Sequence, residues 1–243
     1  MKKSHVLFIW LSLLLLLSCS IDAPEQPVLN TPANELVLSK VVAIGNSLTA
    51  GFQSSGLCEC IQPQSYPNLI ARQMSKAAEF EQPLIAEPGI GATVGKGHLE
   101  LENGKIIAPA LTVDPSMMLL NATLPRPYDN LGVPGATLRD VMNATNKATS
   151  VSGTNSFFDL VLRNRDLEHN LGFTTQLQQA VMLNPSLILL WIGNNDVLAA
   201  ALNGGNLALI TPQADFQTQY LALLTALREK THAAIIIQAR AMS

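Results

Sequence analysis

The stretch that decides the fold is VVAIGNSLTAGF, residues 41–52. Four apolar residues stop at Gly45, and Ser47 follows two residues later. A short apolar run bounded by a turn signal is typical of a strand that is buried on both faces of a parallel sheet. Such a strand delivers the residues that follow it to the edge of the sheet, where ligands bind. The pattern therefore makes Ser47 a candidate nucleophile.

The rest of the chain continues this pattern. Apolar runs typical of buried strands occur at 41–44, 126–131, 187–192 and 234–239. Helical patterns occur between them, at 66–78, 137–146, 174–183 and 212–230. Strands that alternate with helices predict an α/β fold, in which helices cover both faces of a parallel sheet. The last helix is expected to begin with Thr211 as its N-cap and Pro212 as its first residue.

One segment breaks the alternation. Residues 98–107 surround an Asn103-Gly104 pair with alternating side chains, which favours a two-residue hairpin turn. The sequence therefore predicts a β-hairpin that is inserted between the first two core strands.

Composition narrows the class of protein. The chain has 243 residues, of which 48% are hydrophobic and 14% charged, and this is enough for one domain with a sizeable core. The net charge is -3, and no basic stripe is present that could bind a phosphate backbone. We therefore expect no nucleic-acid partner.

The first residues predict export from the cytoplasm. Two lysines precede an apolar run at 6–17 that would span about 18 Å as a helix, short of the roughly 30 Å hydrocarbon layer. The following Leu16-Leu17-Ser18-Cys19 resembles the lipobox of bacterial lipoproteins, in which the cysteine is lipidated. We expect a lipoprotein signal peptide at 1–18, a proline-containing tether at 19–38 and one folded domain at 39–243. The expected location is the cell envelope, with the lipid in the outer membrane. The alternative is an ordinary signal peptide and a free periplasmic or secreted protein.

Cys58 and Cys60 are separated by one residue. Such close neighbours rarely satisfy disulfide geometry, and two thiolates are too few for a tetrahedral zinc site unless other segments supply ligands. The interpretation favoured here is a loop feature, and no metal site is expected.

Three predicted strands end in residues that suit acyl transfer. Ser47 follows the first strand, Gly132 ends the second, and Asn195 follows the third. The carboxyl ends of parallel strands meet at one edge of the sheet. A serine hydroxyl, the backbone N–H of Gly132 and the side-chain amide of Asn195 would then provide a nucleophile and donors for an oxyanion.

These blocks resemble those of the GDSL, or SGNH, hydrolase family. Ser47 matches the nucleophile block of that family, Gly132 its oxyanion glycine block and Asn195 its G-x-N-D block, in the same order along residues 41–243. The resemblance implies a flavodoxin-like three-layer α/β/α fold. It also implies esterase, lipase or sugar-deacetylase activity on a small-molecule or glycan ester, without a metal or organic cofactor.

The chain departs from the family at Asn46, where the name-giving motif has aspartate. Asparagine keeps the short acceptor that bonds backbone N–H groups in a tight turn, and it loses only the charge. We expect Asn46 to border the substrate-binding site and the replacement to have a modest effect.

A second departure concerns the general base. The family carries an Asp-x-x-His block after a fifth strand, whereas this sequence reaches Ser243 after its fourth. The expectation is an incomplete domain, with the fourth strand as an exposed apolar edge and with absent or impaired activity. Loss of the base from a serine triad can lower turnover about 10⁶-fold.

Other histidines are weaker candidates for the base. His169, in the Asp-x-x-His spelling that starts at Asp166, precedes the third strand. His232 precedes the fourth strand, at the edge opposite Ser47, and His98 belongs to the hairpin segment.

Two other functions therefore stay open: a non-catalytic surface lipoprotein that binds glycan or acyl ligands, and an O-acyltransferase.

Overall fold

The computed structural model describes residues 38–164 and 171–238, which lie within one compact unit, Glu35–Ser243. The strands are β1 (Val41–Gly45), β2 (Gly56–Leu57), β3 (Ile90–Gly91), β4 (Glu100–Glu102), β5 (Lys105–Ile107), β6 (Asn130–Gly132), β7 (Leu187–Trp191) and β8 (Ala234–Ile237). The α-helices are α1 (Ser47–Ala50), α2 (Tyr66–Gln73), α3 (Leu138–Asn143), α4 (Phe157–Leu162), α5 (Gln176–Met182), α6 (Asn195–Leu202) and α7 (Gln213–Lys230). In these two ranges, no helix has the length and apolar character needed to cross a membrane.

The central sheet has four parallel strands in the order β6-β1-β7-β8. Its register pairs Gly45, the last residue of β1, with Gly132 on one side and with Trp191 on the other. The carboxyl ends of these three strands therefore lie level at one edge. The predicted α/β fold with a parallel sheet is confirmed.

The strand β6 is shorter than its sequence pattern predicts and begins only at Asn130. Pro127 has no N–H to donate to a ladder. The Arg126 guanidinium instead bonds the buried carboxylate of Asp129, at 2.9 and 3.1 Å. The predicted run 126–131 therefore enters the sheet only in its last two residues.

Helices cover both faces of the sheet, as alternation along β1 shows. Val42 and Ile44 belong to a core cluster that includes residues of α3, α4, α5 and α7. Val41 and Ala43 point the other way and pack in a cluster with residues of α2. Because both faces of β1 are buried, an uninterrupted apolar run was the correct signal for this strand.

The predicted hairpin is confirmed. The strands β4 and β5 pair antiparallel, with Leu101 opposite Ile106. Asn103 and Gly104 form the turn with φ angles of 49° and 75°, the positive values that a type I′ turn requires.

The start of α7 differs from the prediction by one residue. Pro212 is the N-cap and Gln213 the first helical residue. The hydroxyl of Thr211 donates to Asp196 Oδ1 at 2.9 Å, so it is not available to cap the helix. A contact distant in sequence therefore displaced the expected cap.

Asp196, the second residue of α6, connects this helix to the starts of α3 and α7. Its Oδ2 accepts the N–H of Leu138 at 2.9 Å, at the start of α3, while its Oδ1 holds Thr211 just before α7. Burial raises the pKa of the Asp196 carboxyl, the hydrogen bonds from Leu138 and Thr211 oppose this rise, and the charge of Asp140 adds to it. The ionised carboxylate therefore carries a desolvation cost in the folded state.

At the opposite side of the sheet, β8 pairs only with β7 among the described strands. Ile236 and Ile237 are 56% and 43% exposed, which agrees with the expectation of an apolar sheet edge. Unpaired strand edges of this kind are templates for association with other chains.

The raised pKa of Asp196 predicts a pH-dependent stability. Above about pH 4 the carboxyl ionises freely in the unfolded chain but is held protonated to a higher pH in the folded chain. The unfolding free energy of the wild type, relative to Asp196→Asn, should therefore fall as the pH rises from about 4 through the native pKa. Urea denaturation of both proteins at a series of pH values measures this difference. Thr211→Val removes a donor that stabilises the ionised carboxylate, so the fall should be larger and extend to higher pH. A difference that is independent of pH would contradict the raised pKa of Asp196.

The exposed edge predicts that Ile236→Lys reduces aggregation, because a charged edge strand opposes pairing with another chain. The unfolding free energy should change by less than about 1 kcal/mol, since the side chain is largely exposed. Light scattering over a concentration series measures the effect. Leu221→Lys is the matched control, because Leu221 is 66% exposed on α7, away from any strand edge. Equal suppression by both variants would show that the edge is not the cause.

Candidate active site

Ser47 begins α1 directly after the turn that ends β1. Asn46 is the N-cap of this one-turn helix, and its Oδ1 accepts the N–H of Leu48 at 3.1 Å. Ser47 is half-buried, and neither its hydroxyl nor its own N–H bonds to any residue that the structure describes. The hydroxyl is thus presented at the carboxyl edge of the sheet without a structural partner.

Asn46 retains the turn-forming role expected of it and adds a second one. The side chain is 1% exposed, and its Nδ2 donates to Asn194 Oδ1 at 3.3 Å. An amide can donate at this position, whereas an aspartate carboxylate can only accept. The asparagine therefore links the strand end that carries Ser47 to the one that carries Asn195.

Gly132 does not offer the donor that was expected of it. Its N–H donates to the side-chain Oδ1 of Asn130 at 3.0 Å, in a buried position. A Cβ on Gly132 would lie 2.4 Å from the backbone nitrogen of Ala50, so the glycine permits α1 to pack against β6. The prediction that the Gly132 N–H stabilises an oxyanion is therefore corrected: this glycine has a packing role in the structure.

Gly135, three residues later, has the exposed and available backbone N–H that was expected of Gly132. It is exposed, its φ is +80°, and its N–H bonds to no described residue. Its turn is held in place, because Val133 N donates to the carbonyl of Gly45 at 3.0 Å and Asn155 Nδ2 donates to Pro134 O at 2.7 Å. The sequence analysis missed Gly135, and the available signal was a second glycine after a proline, a combination that favours positive φ.

Asn195 is the first residue of α6, and Asn194 is the N-cap. The Asn195 Nδ2 donates to the carbonyl of Ala136 at 2.7 Å, which joins the third strand end to the second. This bond uses one of the two amide hydrogens and orients the side chain. The other hydrogen has no partner among the described residues.

The structure thus brings the three strand ends together. Bonds from Asn46 to Asn194 and from Asn195 to Ala136 connect them at the edge. Beneath the edge, Gln176 Nε2 donates to the carbonyls of Gly45 and Leu131 at 2.9 and 2.6 Å. Preorganised N–H donors beside a hydroxyl are suited to a tetrahedral intermediate, whose oxyanion they would stabilise.

Neither described histidine is hydrogen-bonded to Ser47. The Nδ1 of His98 is bonded to the carbonyl oxygen of Pro88 at 2.8 Å. His232 is exposed and precedes β8, at the amino edge of the sheet, as predicted. His169, Asp166 and the proposed lipidation residue Cys19 lie outside the described residues.

Cys58 and Cys60 form a disulfide, which corrects the expectation that residues so close in sequence would not. Their Cα atoms are 5.2 Å apart, within the usual range for a disulfide, because the chain turns between them. Cys58 is buried and Cys60 is exposed.

Comparison with known proteins supports the family indicated by these residues. The model of the family described as GDSL-like lipase/acylhydrolase matches residues 41–243, which include Ser47, Gly135 and Asn195. A search of curated proteins and a search of solved structures found no match. Because the family match covers most of the chain and the parallel α/β sheet agrees with the flavodoxin-like fold, the chain belongs to the GDSL-like lipase/acylhydrolase family.

Proposed function

We propose that this protein hydrolyses carboxylic esters through an acyl-enzyme on Ser47. Membership of the family supports ester hydrolysis as the class of reaction. The observation that carries the assignment to Ser47 is its hydroxyl, which has no hydrogen-bond partner in the described ranges and lies at the joined carboxyl ends of β1, β6 and β7. Such a hydroxyl is free to attack a carbonyl carbon.

The oxyanion of the tetrahedral intermediate would be stabilised by three donors. These are the N–H of Ser47, the N–H of Gly135 and the second amide hydrogen of Asn195. All three lack a partner among the described residues, and each belongs to a backbone or side chain that other hydrogen bonds hold in position. Fixed donors need no reorganisation when charge develops, which is the origin of their effect on rate.

Attack also requires a base that accepts the proton of Ser47. His98 bonds to Pro88 through Nδ1, its Nε2 is not hydrogen-bonded to Ser47, and His232 lies at the other edge of the sheet. No described imidazole is thus hydrogen-bonded to Ser47, and we expect slow turnover by the 243-residue chain unless a group outside the described residues completes the relay. His169 lies outside the described residues and belongs to an Asp-x-x-His sequence that resembles the family pair. The variant His169→Gln tests whether this histidine is the base.

The experiment measures turnover of a short-chain p-nitrophenyl ester by the purified chain and its variants. If a group outside the described residues completes the relay, Ser47→Ala should lower kcat/KM by about 10³-fold or more, because it removes the nucleophile, whereas without a base the loss should be much smaller, because the relay acts as a unit. Asn195→Ala should lower kcat by about 10²-fold with little change in KM, because its donor acts on the transition state. Ser116→Ala is the control, since Ser116 is an exposed serine whose hydroxyl bonds to Asp114.

Other outcomes discriminate between functions. Activity that survives Ser47→Ala contradicts the proposal. Folded protein that binds ester or glycan ligands without turnover, both as wild type and as Ser47→Ala, indicates the binding lipoprotein. Product formation that depends on a sugar acceptor indicates an O-acyltransferase, which would use the same nucleophile.

We further propose that the domain is anchored to the cell envelope by lipid on Cys19. The basis is the Leu16-Leu17-Ser18-Cys19 sequence after an apolar segment. Acyl chains favour the membrane by about 0.8 kcal/mol for each buried CH₂. On expression of the full chain in a bacterium, Cys19→Ala should abolish labelling by radioactive palmitate and move the protein from the membrane to the soluble fraction. Cys60→Ser should leave both unchanged, and equal labelling of the two variants would contradict the anchor.

A further inference from the structure

A cluster of four potential metal ligands lies in segments next to the small β2–β3 sheet, which is separate from the central sheet that carries Ser47 and Asn195. Cys58, Cys60, Glu87 and His98 each offer one ligand atom, and these four atoms all lie within 4.8 Å of one another. Cys58 and Cys60 follow β2, whereas Glu87 and His98 flank β3, its antiparallel partner. The sequence analysis found only the two cysteines, because the other two ligands are contributed by the fold.

The hydrogen bond of His98 selects the tautomer that a metal ligand requires. Because the carbonyl oxygen of Pro88 can only accept, the bond at 2.8 Å identifies Nδ1 as the protonated nitrogen. In the neutral ring of this tautomer Nε2 carries the lone pair, and its neighbour Glu100 Oε1 lies 3.9 Å away, beyond hydrogen-bond distance. Histidines that bind metals commonly donate their other ring nitrogen to a backbone carbonyl in this way.

Close backbone packing brings the ligands together. A Cβ on Gly89 would lie 3.0 Å from His98 Nδ1 and 3.1 Å from the Cβ of Cys58. A Cβ on Gly56 would lie 2.7 Å from the Cβ of His98. Larger residues at these two glycines would push the imidazole away from the sulfur atoms.

The sulfur of Cys58 has a donor of its own. The N–H of Cys60 donates to Cys58 Sγ at 3.2 Å, an arrangement that also stabilises a thiolate. Cys58 and His98 are buried, while Cys60 and Glu87 are exposed. The cluster is therefore half open, and an ion can enter from solvent.

We propose that Cys58, Cys60, Glu87 and His98 bind Zn²⁺ when the two cysteines are reduced, and that the Cys58–Cys60 disulfide is the metal-free state of the same site. Two thiolates, an imidazole and a carboxylate are ligand types found in tetrahedral zinc sites. Their charges leave the occupied site with a net charge of about -1.

The change of state balances with a dithiol as reductant. Two electrons break the Cys58–Cys60 bond, and the dithiol becomes a disulfide while the two cysteine sulfurs take up its protons. Binding of Zn²⁺ then releases those two protons, because the metal ligand is the thiolate. Oxidation by a disulfide reverses the sequence and expels the ion.

The disulfide itself has a limited structural role, since it closes a ring with one residue between the cysteines and so constrains the unfolded chain little. A zinc ion would do more. It would join the segment that follows β2 to both flanks of β3, which the β-ladder links only through two residue pairs. The segment between Ser47 and Cys58 would thus be fixed at its far end.

The test uses the purified full chain in detergent, oxidised or reduced with a phosphine that is then removed. Zn²⁺ binding is measured by competition with a chromophoric chelator, and Co²⁺ is the spectroscopic probe. The reduced chain should bind one Zn²⁺ and give a thiolate-to-Co²⁺ charge-transfer band, whereas the oxidised chain should do neither. Cys60→Ser and Glu87→Gln should weaken zinc binding at least about 10-fold, and Cys60→Ser should lower the band by about half.

The two tested ligands are exposed, so these variants are expected to fold, which the wild-type far-UV circular dichroism spectrum would verify. Cys19→Ala and His232→Gln are the matched controls and should bind Zn²⁺ as the wild type does. Equal binding before and after reduction, no binding by the reduced chain, or undiminished binding by Cys60→Ser would each overturn the proposal. None of these readouts depends on ester hydrolysis.

Discussion

The position of the candidate active site depends on one buried amide, the side chain of Asn130. Its Nδ2 donates to the carbonyl of Thr49 at 2.8 Å, and its Oδ1 accepts the N–H of Gly132 at 3.0 Å. The first bond holds the helix α1, which begins at Ser47, against the strand β6. Loss of the amide would leave buried backbone groups unpaired, at a cost of about 1–3 kcal/mol for each group. The direction in which Ser47 faces therefore depends on a residue that belongs to another strand.

Other polar side chains around the site also hold one element of the fold against another. Gln176 bonds the ends of β1 and β6 from below, and Asn46 and Asn195 connect the strand ends above. Asp196 secures the starts of α3 and α7. Most of these side chains are buried amides, which can donate and accept at once without the desolvation cost of a charge. The site is thus preorganised by neutral hydrogen bonds.

Structural elements that depend only on neighbouring residues in the chain were predictable from the sequence. The apolar run of β1, the run of β7 and the Asn103-Gly104 turn are each determined by residues adjacent in the chain. Predictions failed where the side chain of another residue, near or far along the chain, took over a hydrogen-bonding group. Thr211 bonds to Asp196 and does not cap its helix, and the N–H of Gly132 is occupied by Asn130.

The sequence by itself determined the α/β class, the family and the three strand ends that carry the candidate site residues, because periodicity and short motifs encode these directly. Only the tertiary structure decided that the N–H of Gly132 bonds to Asn130, whereas that of Gly135 has no partner among the described residues. It also paired Cys58 with Cys60 and added ligands about 30 to 40 residues away in the chain. The physical reason is that hydrogen-bond satisfaction and ligand geometry depend on distances in space, which the order of residues along the chain does not specify.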